Sequence, residues 1–212
     1  IAGSSSPAFA QAVVAELAGL PNVRIMARTT AFAWYDDNVF GAVERVGKHV
    51  RNPPGNLPVE RLWRIAAKRA VLATGAEERP LVFGGNDVPG VMMASAARTY
   101  LNRYGVAFGR RVAIFTTNNA GYGLARDLEL AGIELAAIID SRPESAFDWR
   151  GQARQICGAY VSDASGGKSL RRISIWKDGR TETVLVDALA MAGGTNPVIH
   201  LACHRGARPR WS

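Results

Sequence analysis

Apolar positions along the chain follow two different periods, and together they predict an α/β fold. A spacing of three to four residues predicts helices over 7–18, 94–104 and 122–131, because apolar residues then recur on one helix face. Short apolar runs at 111–115 and 133–139 predict buried strands on either side of the third helix. A strand, a helix and a second strand of these lengths form the βαβ crossover with which a dinucleotide-binding fold begins.

A further buried strand is predicted at Arg69-Ala-Val-Leu-Ala-Thr-Gly75. Its apolar residues lead into a glycine, where the backbone can approach a ligand closely. The pattern resembles the strand ending in Ala-Thr-Gly at which flavoproteins with two dinucleotide-binding domains pass from one domain to the other. We therefore expect a second βαβ unit after residue 75, followed by a return of the chain to the first domain.

Alternating apolar and polar positions predict the smaller elements. Residues 29–46 alternate around the turn Asp36-Asp-Asn38, which predicts a β-hairpin, and 62–65 predicts a third strand of an inserted β-meander. Beyond Asp140 the pattern predicts a helix over 143–156, strands over 159–162, 170–175 and 183–189, and a hairpin turn at Asp178-Gly179.

These elements predict a two-domain, Rossmann-type α/β fold of the FAD/NAD(P)-binding, disulfide-oxidoreductase-like kind, incomplete at the N-terminus. Residues 1–85 and 184–212 are assigned to the remainder of the first dinucleotide-binding domain, which carries the inserted hairpins. Residues 86–183 are assigned to a second, degenerate dinucleotide-binding domain.

The second domain is called degenerate because its glycine fingerprint is incomplete. The three glycines of G-x-G-x-x-G fall on Thr116, Asn118 and Gly121, so that only the third is kept. A threonine side chain at 116 would crowd a pyrophosphate, whereas Asn118 could keep the turn through a positive φ. Asp140 follows Gly121 by 19 residues, where an acid would bind a ribose hydroxyl. We favour a relic fold that binds no nucleotide at this loop.

Composition narrows the class of protein. The 212 residues are 48% hydrophobic, which is enough for a substantial core, and no apolar run is long enough to cross a bilayer. The net charge is +8, but the basic residues are scattered, which argues against nucleic-acid binding. Anionic nucleotides or an acidic partner subunit account better for this charge. No signal peptide is evident in residues 1–20, and we expect a cytoplasmic protein.

The chain offers few groups for chemistry. Its two cysteines, Cys157 and Cys203, lie far apart and form no C-x-x-C pair, which argues against a disulfide reductase and favours free thiols. The histidines and cysteines lack the spacing of metal ligands, and no G-x-S-x-G motif is present. We therefore predict no catalytic residue and no metal site within this sequence.

Several longer motifs resemble the alpha subunit of heterotetrameric sarcosine oxidase over nearly the whole chain. The resemblance rests on Arg79-Pro-Leu-Val-Phe83, Asn86-Asp-Val-Pro-Gly-Val-Met-Met-Ala-Ser95, Ala97-Arg-Thr-Tyr-Leu-Asn-Arg-Tyr-Gly-Val106, Thr116-Thr-Asn-Asn119 and Gly193-Gly-Thr-Asn-Pro-Val-Ile-His200. The Thr-Asn-Asn loop in place of G-x-G is itself a trait of that family. Alpha subunits of related amino-acid, proline and opine dehydrogenases are close alternatives.

The resemblance implies a role in a larger complex. That family oxidises sarcosine to glycine and peroxide and transfers the one-carbon unit to tetrahydrofolate, through beta, gamma and delta subunits that accompany alpha. FAD lies in the beta subunit, FMN at the alpha–beta interface, and NAD in the first dinucleotide-binding domain of alpha. The glycine-rich start of that domain and the folate-binding domain are expected to lie outside this sequence, so the chain alone should be inactive and bind NAD weakly or not at all.

The resemblance also implies which residues would contact NAD. Thr30 and Ala31 are expected near the adenine, and Thr74 and Gly75 beneath the ribose and phosphate. The other end of the nucleotide would be closed by Ala192, Gly193, Gly194, Asn196 and Leu201. Two other interpretations stay open: a stand-alone FAD or NAD(P)H oxidoreductase, and a purely structural domain that holds a partner subunit.

Overall fold

The computed structural model describes residues 6–142 and 147–210. The chain divides into two compact units, Ile1–Thr74 with Ile199–Ser212, and Gly75–Val198. The helices, in chain order, are α1 (Ser6–Ala18), α2 (Ala94–Tyr104), α3 (Ala120–Leu130) and α4 (His200–His204). The strands are β1 (Thr29–Trp34), β2 (Val39–Arg45), β3 (Glu60–Ala66), β4 (Ala76–Glu78), β5 (Val91–Met93), β6 (Arg111–Thr116), β7 (Glu134–Asp140), β8 (Gln155–Cys157), β9 (Tyr160–Gly166), β10 (Leu170–Lys177), β11 (Arg180–Leu185), β12 (Ala188–Ala192) and β13 (Thr195–Pro197).

The first unit contains an antiparallel sheet with the strand order β1-β2-β3. The predicted hairpin is confirmed: Trp34 pairs with Phe40 across a turn in which Asp37 and Asn38 adopt positive φ. Helix α4 contacts this sheet, because the backbone N–H of Trp34 donates to Nδ1 of His204 at 3.4 Å. The inserted β-meander of the sequence prediction is therefore present.

The second unit is built in three layers around a five-stranded sheet of order β5-β12-β6-β7-β8, in which every neighbouring pair is parallel. Helices α2 and α3 cover one face, where Leu124 and Leu128 pack against Val112 and Ile114. The antiparallel sheet β9–β11 covers the other face and packs there against Ile139 and its neighbours. Because both faces are buried, the central strands are apolar almost throughout, and the predicted βαβ unit β6-α3-β7 is confirmed.

The predicted buried strand before Gly75 is wrong. Residues 69–75 join no sheet within the described part of the chain, and Val71 is 92% exposed. Apolar sequence alone does not bury a strand, because a strand also needs a neighbour for its backbone hydrogen bonds. The two units separate at this segment, between Thr74 and Gly75.

The helix predicted over 143–156 is also wrong where it can be compared. Residues 143–146 lie outside the described residues, 147–154 are irregular, and the segment ends in β8. The backbone N–H groups of Gln152 and Ala153 donate to Oε1 of Glu129 in α3, at 2.8 and 3.3 Å. These amides therefore donate to a side chain of helix α3, whereas in a helix they would donate to backbone carbonyls one turn earlier.

The single returning strand predicted over 183–189 is two strands in two different sheets. Strand β11 ends at Leu185 and β12 begins at Ala188. Between them the carboxylate of Asp187 accepts hydrogen bonds from the backbone N–H groups of Arg110 and Arg111 at 2.9–3.0 Å. The sequence-based division assigned Ala188–Ala192 to the first domain, whereas this strand lies inside the parallel sheet of the second unit.

Candidate functional site

Three strands of the second unit end in one row at the carboxyl edge of the parallel sheet. Ala192, the last residue of β12, is in register with Thr116, which ends β6, and Thr116 is in register with Asp140, which ends β7. All three residues are fully buried. Open α/β sheets bind their ligands at this edge, so the row and the loops beyond it form the candidate site.

The loop after β6 is fixed to the end of β12. The backbone N–H of Thr117 and the side-chain amide of Asn118 each donate to the carbonyl oxygen of Ala192 at 3.0 Å. The hydroxyls of Thr116 and Thr117 lie within 3.4–3.5 Å of the same oxygen. These polar groups of the loop would otherwise face a ligand at this edge, but they all point to one backbone carbonyl oxygen.

Side chains also hold the turn itself. The hydroxyl of Thr116 donates to the carbonyl oxygen of Asn118 at 2.7 Å and accepts from its backbone N–H at 3.2 Å. The side-chain oxygen of Asn118 accepts from the N–H of Ala120, the first residue of α3, at 2.8 Å. The expected positive φ at Asn118 is wrong, because this residue is absent from the described positions with left-handed backbone. Hydrogen bonds, and not a left-handed residue, make this turn.

Gly121 keeps the role predicted for the third glycine, which is close packing of the helix on the strand. A Cβ atom at this position would lie 2.7 Å from Cβ of Thr116 and 2.8 Å from its Oγ1. The threonine therefore occupies the space beside the start of α3. In a dinucleotide fold the pyrophosphate lies at this helix start, and the loop does not fit one here.

Asp140 is the centre of a buried polar network. Its carboxylate accepts from Tyr122 Oη at 2.7 Å and from the Arg142 side chain at 2.7–3.3 Å, with Arg142 Nη2 closest. The backbone N–H of Arg142 adds a further bond at 3.0 Å. Gln155 donates to the hydroxyl of Tyr122 at 2.6 Å, and Arg142 reaches Asn119 with Nη1 at 2.9 Å. The acid that would bind a ribose hydroxyl is thus fully engaged by protein groups.

The ionisation of Asp140 follows from these contacts. Burial by itself would raise the pKa of the carboxyl group, but hydrogen bonds from Arg142 and Tyr122 outweigh this effect and lower the pKa. The hydrogen bond to Asp140 in turn raises the pKa of the Arg142 guanidinium above its ordinary value. The two groups therefore stay charged and paired, which is suited to holding structure and unsuited to proton transfer near neutral pH.

The structure divides the predicted NAD contacts between the two units. Thr30 and Ala31 lie exposed on β1, and Leu201 is half-buried in α4. These three residues and Thr74 belong to the first unit. The second unit contains Gly75, Ala192, Gly193, Gly194 and Asn196.

Within the second unit, the predicted glycine-rich residues do come together. The N–H of Val198 donates to the carbonyl of Gly75 at 3.0 Å, and Asn196 pairs with Glu77 in the β4–β13 ladder. A Cβ at Gly193 would lie 2.5 Å from the carbonyl oxygen of Arg79, so close backbone packing already requires a glycine there. Beside Gly75, by contrast, a Cβ would meet nothing within 4 Å. The assignment of these residues to a cofactor stays a prediction.

Three residues of the network were not singled out from the sequence: Tyr122, Arg142 and Gln155. Arg142 could have been found, because an arginine two residues after the acid that ends a strand can fold back onto it. Tyr122 and Gln155 are 33 positions apart and carry no local signal.

Other features of the described residues add no chemistry to the site. Cys157 is half-buried and Cys203 exposed, and both are free thiols. No group of three or more metal-ligating side chains occurs in the described ranges. None of the described helices has the length and apolar character needed to cross a bilayer.

Comparison with solved structures defines the class of protein. No family model matches the chain. An FAD-dependent pyridine nucleotide-disulphide oxidoreductase from Desulfovibrio vulgaris matches with a TM-score of 0.56 over 84% of this chain and 46% of its own, at 16% identity, a likeness that concerns the fold. L-Proline dehydrogenase from P. horikoshii matches with a TM-score of 0.64 and 27% identity over 95% of this chain and 35% of its own. The predicted fold class, an FAD/NAD(P)-binding oxidoreductase fold, is confirmed.

Sequence comparison identifies the family within that class. The chain is 63% identical to sarcosine oxidase subunit alpha of Rhizobium meliloti (strain 1021) over all 212 residues. It therefore belongs to the family of the sarcosine oxidase alpha subunit, as the sequence motifs predicted. The match spans 22% of the length of that relative.

Proposed function

We propose that this chain is part of the alpha subunit of a sarcosine oxidase complex and serves there as a nucleotide-binding scaffold and subunit interface. The complex would convert sarcosine to glycine and peroxide and pass the one-carbon unit to tetrahydrofolate. The observation that carries this proposal is the 63% identity to a named alpha subunit across the whole chain. The second candidate is a subunit of a proline dehydrogenase, supported by the 27% identity to such an enzyme.

A scaffold role agrees with the chemistry of the carboxyl edge. A fully buried carboxylate lies there, Asp140, and it is paired with Arg142 and held ionised. A group that neither gains nor loses a proton near neutral pH does not act as a general acid or base. The amine oxidation would accordingly take place on a partner chain, with FAD and FMN bound at or beyond the boundary of this one.

For NAD, we propose that the contacts implied by the family resemblance apply, and that the loop after β6 makes none. Gly75 supports this assignment because the space beside it is open. The side chains of Thr116 and Asn118 fill the position where a second nucleotide would place its phosphates. The contacts proposed for NAD remain Thr30, Ala31, Thr74, Gly75, Ala192, Gly193, Gly194, Asn196 and Leu201.

The test is a calorimetric titration of this chain with NAD, with FAD titrated in parallel. We expect NAD to bind more weakly than about 1 µM and FAD not to bind. Gly75→Ala should weaken the NAD signal, because its side chain would enter the open space, and a circular-dichroism spectrum of the variant controls for the strain of a side chain at the positive φ of Gly75. The matched control, Thr116→Gly with Asn118→Gly, should leave NAD affinity unchanged.

Each other outcome favours a different function. Binding of FAD would indicate a stand-alone flavoenzyme, and binding of neither nucleotide would leave the purely structural role. A gain in NAD affinity from the two glycine substitutions would contradict the proposal that the loop after β6 binds no nucleotide. Sarcosine and proline would be compared as substrates of the assembled complex, because the amine site is assigned to another subunit.

A further inference from the structure

Strand β11 forms an outer edge of the antiparallel sheet, which has the order β11-β10-β9. It pairs with β10 in an unbroken register from Arg172↔Leu185 to Lys177↔Arg180, without a bulge. No other strand of the described ranges pairs with it. Edge strands are often protected from further pairing by a proline, a bulge or charged side chains. The edge formed by residues 180–185, the β11 edge, has neither proline nor bulge, and its charged residues are Arg180 and Glu182, of which Glu182 is already paired with Arg154.

The turn before β11 determines which backbone groups face outwards. Asp178 and Gly179 both have positive φ, as a two-residue hairpin turn requires. The residues that flank such a turn form a hydrogen-bonded pair, and the pattern then alternates along the strand. Arg180, Glu182 and Val184 therefore bond to β10, whereas Thr181 and Thr183 direct their N–H and C=O groups away from the sheet.

The outward edge has a defined end. The carbonyl oxygen of Leu185 accepts a hydrogen bond from Nε of Arg111 at 2.8 Å, so it is engaged within the unit. Thr181 and Thr183 are exposed. They are spaced as alternate residues of one strand, and an added antiparallel strand would exchange both backbone bonds with the residue opposite each of them.

A crevice runs beside the β11 edge, between this sheet and the parallel sheet. It consists of two adjoining cavities of about 520 and 490 Å³, and both are lined by the ion pair Arg154–Glu182. That pair is bidentate, with Nη1–Oε1 at 2.5 Å and Nη2–Oε2 at 2.9 Å. An added strand would place every second side chain in this crevice.

The two ends of the crevice differ in charge. At the turn end lie the cations Lys177 and Arg180 and the acidic Asp178, so this end keeps an excess of positive charge. Neither cation forms an ion pair in the described part of the chain. At the other end the lining includes Ala136, Ala137 and Val184, which are apolar. An occupant that complements both ends carries an acidic residue near Arg180 and an apolar residue on the same strand face, near Val184.

We propose that the β11 edge binds an extended segment of a partner polypeptide by antiparallel strand addition, with backbone bonds to Thr181 and Thr183. The acidic side chain of that segment pairs with Lys177 and Arg180, and its apolar side chain packs over Ala136. Backbone bonds supply most of the affinity and the crevice supplies the selectivity. This binding surface goes beyond the proposed function and does not depend on which amine the complex oxidises.

The test uses the 212-residue chain and the synthetic peptide acetyl-Thr-Val-Thr-Val-Thr-Glu-amide, whose third residue would lie opposite Thr183 and whose glutamate would lie opposite Arg180. Amide hydrogen exchange is followed by NMR. The peptide should slow exchange at Thr181 and Thr183 at least tenfold and leave Glu182 and Val184 unchanged, because β10 already protects the latter two.

Two matched pairs separate strand addition from simple charge attraction. N-methylation of the third peptide residue removes one N–H donor and should weaken binding at least tenfold. Thr183→Pro removes the outward N–H of the protein and should do the same, whereas Thr183→Val retains that N–H and should bind normally. Replacing the glutamate of the peptide with lysine should weaken binding to the chain, and Arg180→Glu should restore it.

Several results would overturn the proposal. These are no binding up to about 1 mM peptide, equal affinity for the N-methylated peptide, or protection that does not alternate along β11. Slow exchange at Thr181 and Thr183 in the absence of peptide, lost on dilution, would show a second copy of this chain on the edge instead. If Thr183→Pro fails to fold, the N-methylated peptide still decides the question.

Discussion

Gly121 and Thr116 are in such close contact that a side chain at either position excludes one at the other. A Cβ on Gly121 would lie 2.7 Å from Cβ of Thr116, well inside ordinary carbon–carbon contact. The threonine occupies the position of the first fingerprint glycine, and the remaining glycine accommodates it. The loop is therefore a packed structure with requirements of its own.

Gly121→Ala should destabilise the chain, because the new Cβ would meet the Cβ of buried Thr116, an atom that side-chain rotation does not move. Overpacking of this kind lowers the free energy of unfolding by about 1–3 kcal/mol. Urea denaturation of the variant and of the wild type measures this loss. The control is Gly123→Ala in the same helix, where a Cβ would meet only the guanidinium of Arg98 at 3.2 Å. That change should be neutral or stabilising by up to about 1 kcal/mol. Equal losses in the two variants would refute the packing argument.

Tyr122→Phe should destabilise the second unit by about 1–3 kcal/mol, since it leaves a buried carboxylate and the Gln155 amide without one partner each. The ring stays in place against Phe147, at a centroid distance of 4.6 Å, so packing is preserved. Tyr100→Phe is the matched control, because Tyr100 is 47% exposed. Unfolding free energies of the two variants that agree within error would count against the network.

Ionisation of Asp140 should make the free energy of unfolding depend on pH in the acidic range. Its folded pKa lies below the ordinary value of 3.8, so its contribution is complete above that pH and is lost as pH falls through the folded pKa. Asp140→Asn should therefore cost about 2–4 kcal/mol at pH 7 and progressively less below about pH 4. The measurement is urea denaturation of both proteins from pH 7 to pH 2.

The exposed pair Arg154–Glu182 provides the control for that series. Its carboxylate also has a lowered pKa through the hydrogen bond from Arg154, but about half of each side chain is exposed. Glu182→Gln should cost less than about 1 kcal/mol at pH 7. A difference between wild type and Asp140→Asn that stays constant across the whole pH range would exclude the proposed ionisation.

Val71→Ser should leave the stability of this chain within about 0.5 kcal/mol of wild type, because surface substitutions rarely do more. The side chain is 92% exposed although the sequence predicted it to be buried. Val112→Ala, at a fully buried position, should by comparison cost about 2–4 kcal/mol. A large loss at Val71 would mean that the segment is packed in solution.

The sequence predicted secondary structure correctly where the signal lies within the element itself. Leu124 and Leu128 recur on one face of α3, and both are fully buried there. The Asp178-Gly179 turn was predicted equally well, since positive φ at two successive positions restricts the choice of residues. Local chemistry is enough in such cases.

Prediction failed where the decisive contact comes from a distant residue. Glu129 binds the amides of Gln152 and Ala153, and no pattern within 143–156 announces that bond. The candidate site shows the same limit: Thr116 and Asp140 were found from their fingerprint positions, but the partners that occupy them were not. The carbonyl of Ala192, 74 residues beyond Asn118, was likewise invisible in the sequence.

The hydrogen bonds of Thr116, Asn118 and Arg142 at the carboxyl edge also determine what the stability of the second unit depends on. Sites that wait for a cofactor are stabilised by mass action, and they lose that stabilisation when the cofactor is scarce. Here the polar groups at the ends of β6 and β7 are already bonded to other groups of the protein. The contribution of these contacts to the unfolding free energy should therefore be the same at any nucleotide concentration.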